Sequence, residues 1–185
     1  MARRSSPPSH GVTSASYGTS PGAVPTFARK LLGCSGITID AFYGIRMPDT
    51  WTQEFDLSDR DAVRRLNDAE PEQIDWIVEK VRRGSVGNFM EHQHGYLVSK
   101  VAQGMYNRSV RRTSHLHVGG GCIGCGLCAR RCPIHAIEMR DDRPVWTKEK
   151  CAMCLRCLHN CPKFAIQYDD KTRDHGQYTH PVAKS

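Results

Sequence analysis

Eight of the nine cysteines fall into two runs with the same spacing, both in the C-terminal third of the 185-residue chain. Each run has three cysteines at intervals of two residues, a fourth after three more, and then a proline. The first motif is Cys122-x2-Cys125-x2-Cys128-x3-Cys132-Pro133, and the second is Cys151-x2-Cys154-x2-Cys157-x3-Cys161-Pro162. Cysteines at such close intervals are typical of metal ligands, so the pattern indicates that this part of the chain folds around metal.

The spacing favours iron–sulfur cubes. Three cysteines at two-residue intervals wrap a short loop around one corner of a cube, with backbone N–H groups turned toward its sulfides. The fourth begins a helical turn that leads away, and the proline keeps the chain from curling back onto the same cube. In bacterial ferredoxins each such run gives three thiolates to one [4Fe–4S] cluster and its fourth to the other. Cluster 1 is therefore predicted on Cys122, Cys125, Cys128 and Cys161, and cluster 2 on Cys151, Cys154, Cys157 and Cys132.

Two other uses of cysteine fit the pattern less well. Structural zinc takes two separated C-x2-C pairs and has no use for a third cysteine two residues further on. Disulfides need an oxidising compartment, and no segment of the chain is predicted to direct it to one. The ninth cysteine, Cys34, lies outside both motifs and is predicted to be a small buried or idle thiol.

Neighbouring residues are predicted to tune the clusters without binding them. Backbone N–H groups and the apolar residues around the cysteines are expected to set the potential through hydrogen bonding and burial. Histidine could replace cysteine as a ligand, but cysteine fills every ligand position, so His135 and His159 are not expected to bind iron. His92 and His94 are predicted to be surface residues. The apolar residues expected to limit water access are Ile123, Leu127, Met153 and Leu158.

Charge and composition argue against nucleic acid as a partner. The formal net charge of +7 counts cysteines as neutral. Two [4Fe–4S] cubes, each about 2− with its thiolates, lower this to about +3. The pairs Arg111-Arg112 and Arg130-Arg131 lack interleaved aromatic residues, so a solvated face is expected, and the arginines near the first motif could instead dock an acidic redox partner.

The chain is predicted to be cytoplasmic. No segment has the apolar length needed to cross a bilayer. The N-terminus is rich in serine, proline and arginine without a hydrophobic core region, so a secretory signal is not expected. Residues 1–10 are predicted to be disordered.

Hydrophobic periodicity predicts an α+β chain. A first helix is predicted at Ala23–Leu32, with an apolar side formed by Val24, Phe27, Leu31 and Leu32. A second is predicted from about Asp56 to Ala69, with Asp56 or Ser58 as its N-cap, and after a break at Pro71 the helical pattern continues to Gly84. A further helix is predicted from Glu91 to Met105. The apolar residues of the last helix, Tyr96, Leu97, Val101 and Met105, are expected to pack in a core. Strands are predicted at Val12–Tyr17, Ile37–Tyr43, Leu116–Val118, Ala136–Met139, Pro144–Trp146 and Ala165–Tyr168.

The last four strands and the two motifs form an internal repeat. Each copy reads strand, cysteine loop, strand, and the residues after the fourth cysteine are alike: Pro-Ile-His-Ala-Ile-Glu against Pro-Lys-Phe-Ala-Ile-Gln. This predicts a ferredoxin-type domain with pseudo-twofold symmetry at residues 114–170, followed by an irregular tail at 171–185. Because the motif binds so much metal in so few residues, cluster ligation is expected to supply much of the folding free energy.

Beyond its cysteines, the chain resembles the flavodoxin–ferredoxin fusion family, also called ferrodoxins. Residues 16–22 resemble the family's Thr-Tyr-Gly loop, and residues 45–49 resemble its Met-Pro-Asp-Asn strand end. Residues 144–146, 165–168 and 176–178 resemble its C-terminal signature. The resemblance implies a flavodoxin-like α/β segment with a helical linker at residues 11–113, ahead of a two-cluster ferredoxin domain.

The first half of the flavodoxin-like domain has no counterpart here, including the loop that holds the FMN phosphate. Residues 33–38 are similar to such a loop but precede a strand instead of following one. By resemblance, Ser16, Tyr17 and Gly18 would contact a flavin ring, yet without the phosphate loop we expect no FMN in this chain. A truncated gene product, a fragment of a longer protein and a shortened form of the family domain would each explain this missing half. The exposed half-domain predicts self-association.

The predicted function is electron transfer. Two [4Fe–4S] clusters would pass single electrons between redox partner proteins, and no acid, nucleophile or substrate pocket is implied, so a carrier is expected and not an enzyme. The alternative is a component of a flavin-dependent oxidoreductase in which the clusters relay electrons to FMN. A third interpretation makes the clusters structural supports for a binding surface.

Overall fold

The computed structural model describes residues 9–181, which fall into two compact units. The first contains residues 9–48 and 64–100, and the second contains residues 49–63 and 101–181. The strands are β1 (Ser9–Tyr17), β2 (Ile37–Arg46), β3 (Gly87–Asn88), β4 (Leu116–Val118), β5 (Ile137–Arg140), β6 (Arg143–Trp146) and β7 (Ile166–Tyr168). The α-helices are α1 (Val24–Gly33), α2 (Arg60–Asp68), α3 (Glu70–Arg82), α4 (Tyr96–Met105), α5 (Leu127–Arg130) and α6 (Arg156–His159).

The first unit is built on a parallel sheet with the order β1-β2-β3. β1 pairs with β2 along its whole length, with one register shift between Gly11 and Val12. The central strand β2 is fully buried at Ala41, Phe42 and Tyr43. Such a continuous buried run is typical of a parallel strand that is covered on both faces. Both long strands were predicted, whereas the two-residue β3 is too short to show a period.

α1 covers this sheet, with Pro25 in its first turn, where a missing N–H does no harm. Its Val24, Ala28 and Leu32 pack against a core formed by Ile39, Phe42 and Met90. The prediction that Leu31 belongs to this apolar side is wrong, because its side chain is 74% exposed. The 3.6-residue period places it beyond the edge of the stripe that meets the sheet.

The helical region after residue 56 was predicted correctly, but its N-cap was not. Asp59 is the cap, since its carboxylate accepts hydrogen bonds from the N–H groups of Asp61 and Ala62. The carboxylate of Asp56 instead accepts from Ser58 N–H in a turn before the helix. That same hydrogen bond lowers the pKa of the Asp56 carboxyl. α2 ends just before Pro71, which lies in the first turn of α3, and Gly84 follows α3 with a left-handed φ of 63°.

α4 differs most from its prediction. It begins at Tyr96 and not at Glu91, because side-chain hydrogen bonds from Asn88 to Gln93 and from Gln93 to Met90 O hold the preceding residues in a turn. The expectation of core packing is wrong for Leu97, Val101 and Met105, whose exposed fractions are 75%, 60% and 65%. Tyr96 is half-buried, and its ring lies 5.0 Å from that of Phe27. A π-helical turn, Tyr106–Val110, follows α4.

The second unit holds two small antiparallel sheets, one of β4 and β7 and the other of β5 and β6. All four strands lie within one residue of their predicted positions. Buried apolar side chains between them form the core: Leu116, Met153, Leu155, Leu158, Ile166 and Tyr168. Trp51 and Tyr106, which lie far from the cysteine motifs in sequence, pack against this core.

At the chain ends, Ser9 and His10 lie in β1, so the predicted disorder does not extend to them. The rest of that prediction, residues 1–8, lies outside the described residues, as does the end of the tail after residue 181. Within residues 9–181 no helix combines the length and the apolar character that crossing a bilayer requires.

Candidate iron–sulfur site

Two cavities in the second unit are lined by the cysteines of the two motifs. The first, of about 360 Å³, is lined by Cys122, Cys125, Cys128 and Cys161. The second, of about 400 Å³, is lined by Cys132, Cys151, Cys154 and Cys157. Each cavity thus receives three cysteines from one motif and the fourth from the other.

The cysteine loops turn through left-handed residues at equivalent positions. In the first motif these residues are Gly124 (φ 67°) and Gly126 (φ 70°). In the second they are Met153 (φ 51°) and Leu155 (φ 50°), which are both buried. The same backbone path is therefore built from glycine in one copy and from large apolar residues in the other.

Backbone N–H groups point at three of the cysteine sulfurs. After the fourth cysteine of each motif, the chain turns so that Ala136 N–H donates to Cys132 Sγ (3.2 Å) and Ala165 N–H donates to Cys161 Sγ (3.3 Å). Met153 N–H donates to Cys151 Sγ at 3.3 Å. Such N–H···S bonds stabilise negative charge on sulfur, as iron–sulfur ligands require.

Burial raises the thiol pKa of three cysteines in the motifs. Burial raises the pKa of Cys157 to about 12, and the neighbouring Cys154 and Cys151 raise it further toward the neutral form. Burial also raises the pKa values of Cys128 and Cys151. Thiolates in such surroundings need a compensating positive charge, which metal ions supply when they bind and displace the protons.

The cysteines are not gathered around a single ion. Within residues 9–181, no three His, Cys, Asp or Glu side chains converge on a point where one metal ion would sit. Structural zinc needs four ligands within about 2.3 Å of one centre. A cube instead holds its thiolates apart, one at each iron. The all-cysteine donor set, with four cysteines lining each cavity, fits a cube.

Residues outside the motifs cover the second motif. His159 on α6 is hydrogen-bonded on both ring nitrogens: Nδ1 accepts from Tyr178 N–H, so Nε2 donates to Thr50 O at 2.9 Å. Burial lowers the pKa of His159, in agreement with this neutral ring. His175 makes a further contact with Thr52 O. Residues 50–52 are thereby tied down beside α6.

Next to Cys154 these covering residues leave an open cleft of about 510 Å³. Its walls are Thr50, Trp51 and Tyr106 on one side and residues 153–155 on the other. The rings of Trp51 and Tyr106 meet edge to face, 6.3 Å apart. Sequence reasoning missed this cover, because it depends on contacts between residues about a hundred positions apart.

The other predicted residues lie as follows. Met153 and Leu158 are buried as expected, whereas Ile123 is 59% exposed and does not shield the first cavity. Cys34 is an exposed thiol at the end of α1. His92 and His94 are exposed, as predicted. Ser16, Tyr17 and Gly18 lie at the C-terminal end of β1 in the first unit.

Comparison with known proteins identifies the class of the cysteine-rich domain. Residues 116–173 match the family described as the 4Fe-4S dicluster domain. This segment is a ferredoxin-type domain, as its spacing predicts. No solved structure gives a significant match to the chain.

Several curated relatives match a short part of the chain. A subunit of the ion-translocating oxidoreductase complex of Methanosarcina acetivorans is 40% identical over 47 residues, 25% of this chain and 18% of that protein. A subunit of the Na(+)-translocating ferredoxin:NAD(+) oxidoreductase complex of Acetobacterium woodii is 43% identical over 44 residues, 23% and 13% of the two chains. A ferredoxin of Pyrobaculum islandicum is 40% identical over 48 residues, 24% and 43%. The chain spans less than half of each of these relatives.

Proposed function

We propose that the chain is a one-electron carrier that holds two [4Fe–4S] clusters. The observation that carries this proposal is the lining of the two cavities, each by three cysteines of one motif and one of the other. The dicluster family match and relatives named as a ferredoxin and as oxidoreductase complex subunits support it. A redox partner protein is therefore proposed as the donor or acceptor.

The cavity linings support the ligand sets that the spacing predicts. Cluster 1 is assigned to the four cysteines of the first cavity and cluster 2 to those of the second. A bound [4Fe–4S] cluster supplies one-electron oxidation and reduction without proton transfer. The chain contributes the thiolates, the N–H···S bonds at Cys132, Cys151 and Cys161, and a dry wall at Met153.

Pseudo-twofold symmetry is proposed for this domain. The paired left-handed residues, the short helices α5 and α6, and the N–H···S bonds at Cys132 and Cys161 recur at equivalent places. An exchange of the fourth cysteine between copies follows naturally from such symmetry.

The first unit is proposed to be part of a flavodoxin-like domain. Its three parallel strands are adjacent in chain order, as are the last three strands of the flavodoxin order 2-1-3-4-5. Among residues 9–181, β1 pairs with β2 alone, and its Val12 is 50% exposed, which supports self-association along this edge.

We propose that this unit does not hold FMN by itself. Ligands of parallel sheets bind beyond the C-terminal ends of the strands, where Ser16, Tyr17 and Gly18 lie. The Tyr17 ring is packed against Gly44, where a Cβ atom would come within 2.6 Å of it, so it is not free to cover a flavin. The glycine-containing residues 33–36 lie at the opposite end, before β2. The reducing cytoplasm is proposed as the compartment, since it suits eight free thiolates.

The test is anaerobic purification followed by an absorption spectrum, with iron, sulfide and flavin quantified on the same sample. We expect about eight irons and eight sulfides per chain, an absorption band bleached by dithionite and no flavin. Zinc in place of iron would overturn the proposal. Stoichiometric flavin would instead favour a flavin-dependent oxidoreductase.

A further inference from the structure

One large apolar side chain stands exposed beside the first cavity. Ile123 lies between Cys122 and Cys125, lines that cavity and is 59% exposed. The equivalent residue of the second motif is the small Ala152. An exposed apolar residue among polar neighbours is typical of the centre of a transient protein interface.

Three cations lie on segments next to the cavity that Ile123 lines. The Arg130 guanidinium donates to Cys125 O at 2.9 Å, and Arg143 donates to Val118 O and Gly119 O at 3.0 and 3.2 Å. Lys163 is exposed and lines the first cavity. In the described part of the chain none of the three forms an ion pair.

These cations are held in place without being neutralised. Carbonyl oxygens fix both guanidinium groups, so their charge stays available to a partner at little further cost in side-chain entropy. The turn between β5 and β6 carries two acidic residues, Asp141 and Asp142. The backbone of Asp142 approaches Gly124, where an added Cβ would lie 2.9 Å from Asp142 O. On β5, Glu138 is already paired with Arg140.

Cys125 and Cys154 are both exposed, but the residues beside them differ. Near the second cavity Arg111 donates to Cys151 O and Lys148 donates to Ile134 O, so cations occur there as well. On that side, however, Cys154 lies in a cleft walled by Trp51 and Tyr106. A protein with a flat or convex face meets Ile123 first and does not reach into the cleft.

We propose that the face formed by Ile123, Arg130, Arg143 and Lys163 docks an acidic redox protein, and that electrons pass through cluster 1. This inference rests on the proposed electron-carrier function. The whole chain keeps a net charge of about +3 after both clusters are counted, which attracts an acidic partner over a distance. One electron leaves the reduced protein and the partner gains that electron, with no proton or group transferred.

Cross-linking to a purified acidic flavodoxin tests the docking face directly. A carbodiimide joins lysine amines to carboxylates in contact, and the anaerobic protein with its clusters is used. We expect Lys163 to be the main cross-linked lysine, with the yield falling at high salt. Cross-links at Lys148 or Lys150 instead would overturn the proposal, since these lysines precede the second motif and Lys148 donates to Ile134 O, which lines the second cavity.

Charge-removing variants give a second readout by binding. Arg130→Gln and Lys163→Gln are each expected to weaken flavodoxin binding by ~3-fold or more at low salt, because each removes a steering charge. The control is Arg156→Gln, which removes an exposed charge from α6 and is expected to change binding little. An equal loss in the Arg156 variant, or tighter binding of a basic cytochrome c than of flavodoxin, would contradict the docking face.

Iron and sulfide contents of the same samples distinguish a failure of the docking proposal from a failure of the electron-carrier proposal. Full clusters with cross-links elsewhere overturn the docking face alone. Protein that folds without iron overturns the electron-carrier function and the docking inference together.

Discussion

The two cysteine motifs follow the same backbone path with different residues. The first motif turns on Gly124 and Gly126, and the second turns on Met153 and Leu155 at the same left-handed positions. Left-handed geometry costs a non-glycine residue about 1–2 kcal/mol. Burying a Met or Leu side chain stabilises by about 1.5–3 kcal/mol, which outweighs that strain.

The difference teaches that one half of the domain relies on the protein core and the other on the metal. Met153 and Leu155 join Leu116, Leu158 and Tyr168 in the core, so the second loop is anchored even before metal binds. The glycines of the first loop bring no side chains to any core. We infer that the first loop depends on cluster 1 for its order, and that this same lack of cover leaves it accessible to partners.

The largest expected effect follows removal of iron with an anaerobic chelator. We expect the second unit to lose stability on the order of 10 kcal/mol, as other small metal-bound domains do. Hydrogen exchange measured by mass spectrometry should show complete loss of protection at residues 122–128 and partial retention at residues 151–158. The parallel sheet of the first unit serves as the internal control, and β2 should keep its protection. An equal loss of hydrogen-exchange protection in both loops would contradict the inference that the second loop is anchored by the core before metal binds.

Truncation of one core side chain comes next in size. Leu155→Ala removes a side chain that is 5% exposed, so we expect a loss of about 2–4 kcal/mol in unfolding free energy. A truncation of similar size in the first motif, Ile123→Ala, should alter stability by less than about 0.5 kcal/mol, because that side chain is 59% exposed. Chemical denaturation of the anaerobic protein measures both. Similar losses in the two variants would show that the loops are anchored alike.

A glycine substitution sharpens the comparison from the other side. In Gly124→Ala the new Cβ would lie 2.9 Å from Asp142 O at a φ of 67°, so we expect a loss of about 1–3 kcal/mol. Gly120→Ala is the control, since no atom lies within 4 Å of its Cβ position. The measurement is the thermal midpoint together with the rate of iron loss to a chelator. If Gly124→Ala leaves both the thermal midpoint and the rate of iron loss unchanged, the loop accommodates the added Cβ atom without strain.

The smallest effect is expected at the cover over the second motif. His159→Asn removes hydrogen bonds to Thr50 and Tyr178, which we expect to cost about 1–2 kcal/mol and to speed iron loss from cluster 2. His135→Asn is the control, because His135 is exposed and asparagine tolerates its left-handed φ of 50°. Iron release followed by absorbance compares the two. If both variants release iron at the rate of the unchanged protein, residues 50–52 do not protect the cluster.

Local spacing predicted the cysteine loops and their flanking strands, because those features depend on residues close together in sequence. The strand boundaries are correct to within one residue. The break before Pro71 was equally predictable, since proline acts on its own turn.

Tertiary context decided the features that sequence reasoning missed. The apolar residues of α4 have a helical period, but a period does not show whether a core lies opposite, and Leu97 and Val101 are exposed. The sequence around Trp51 indicates a loop after β2, whereas hydrogen bonds from the distant His159 and His175 hold its neighbours in the second unit. In the same way, no feature of the neighbouring sequence showed that Ile123 would be exposed and not buried.

The most direct test of the central claim asks which cysteines share a cluster. Two double variants are compared after anaerobic reconstitution: Cys122→Ala with Cys161→Ala, and Cys122→Ala with Cys132→Ala. If the fourth cysteines are exchanged between motifs, the first pair damages one cluster and leaves about four irons and four sulfides per chain, whereas the second pair damages both and leaves almost none. The reverse pattern, with about four irons kept only in the Cys122/Cys132 pair, would show that each motif holds its own cluster and would contradict the account.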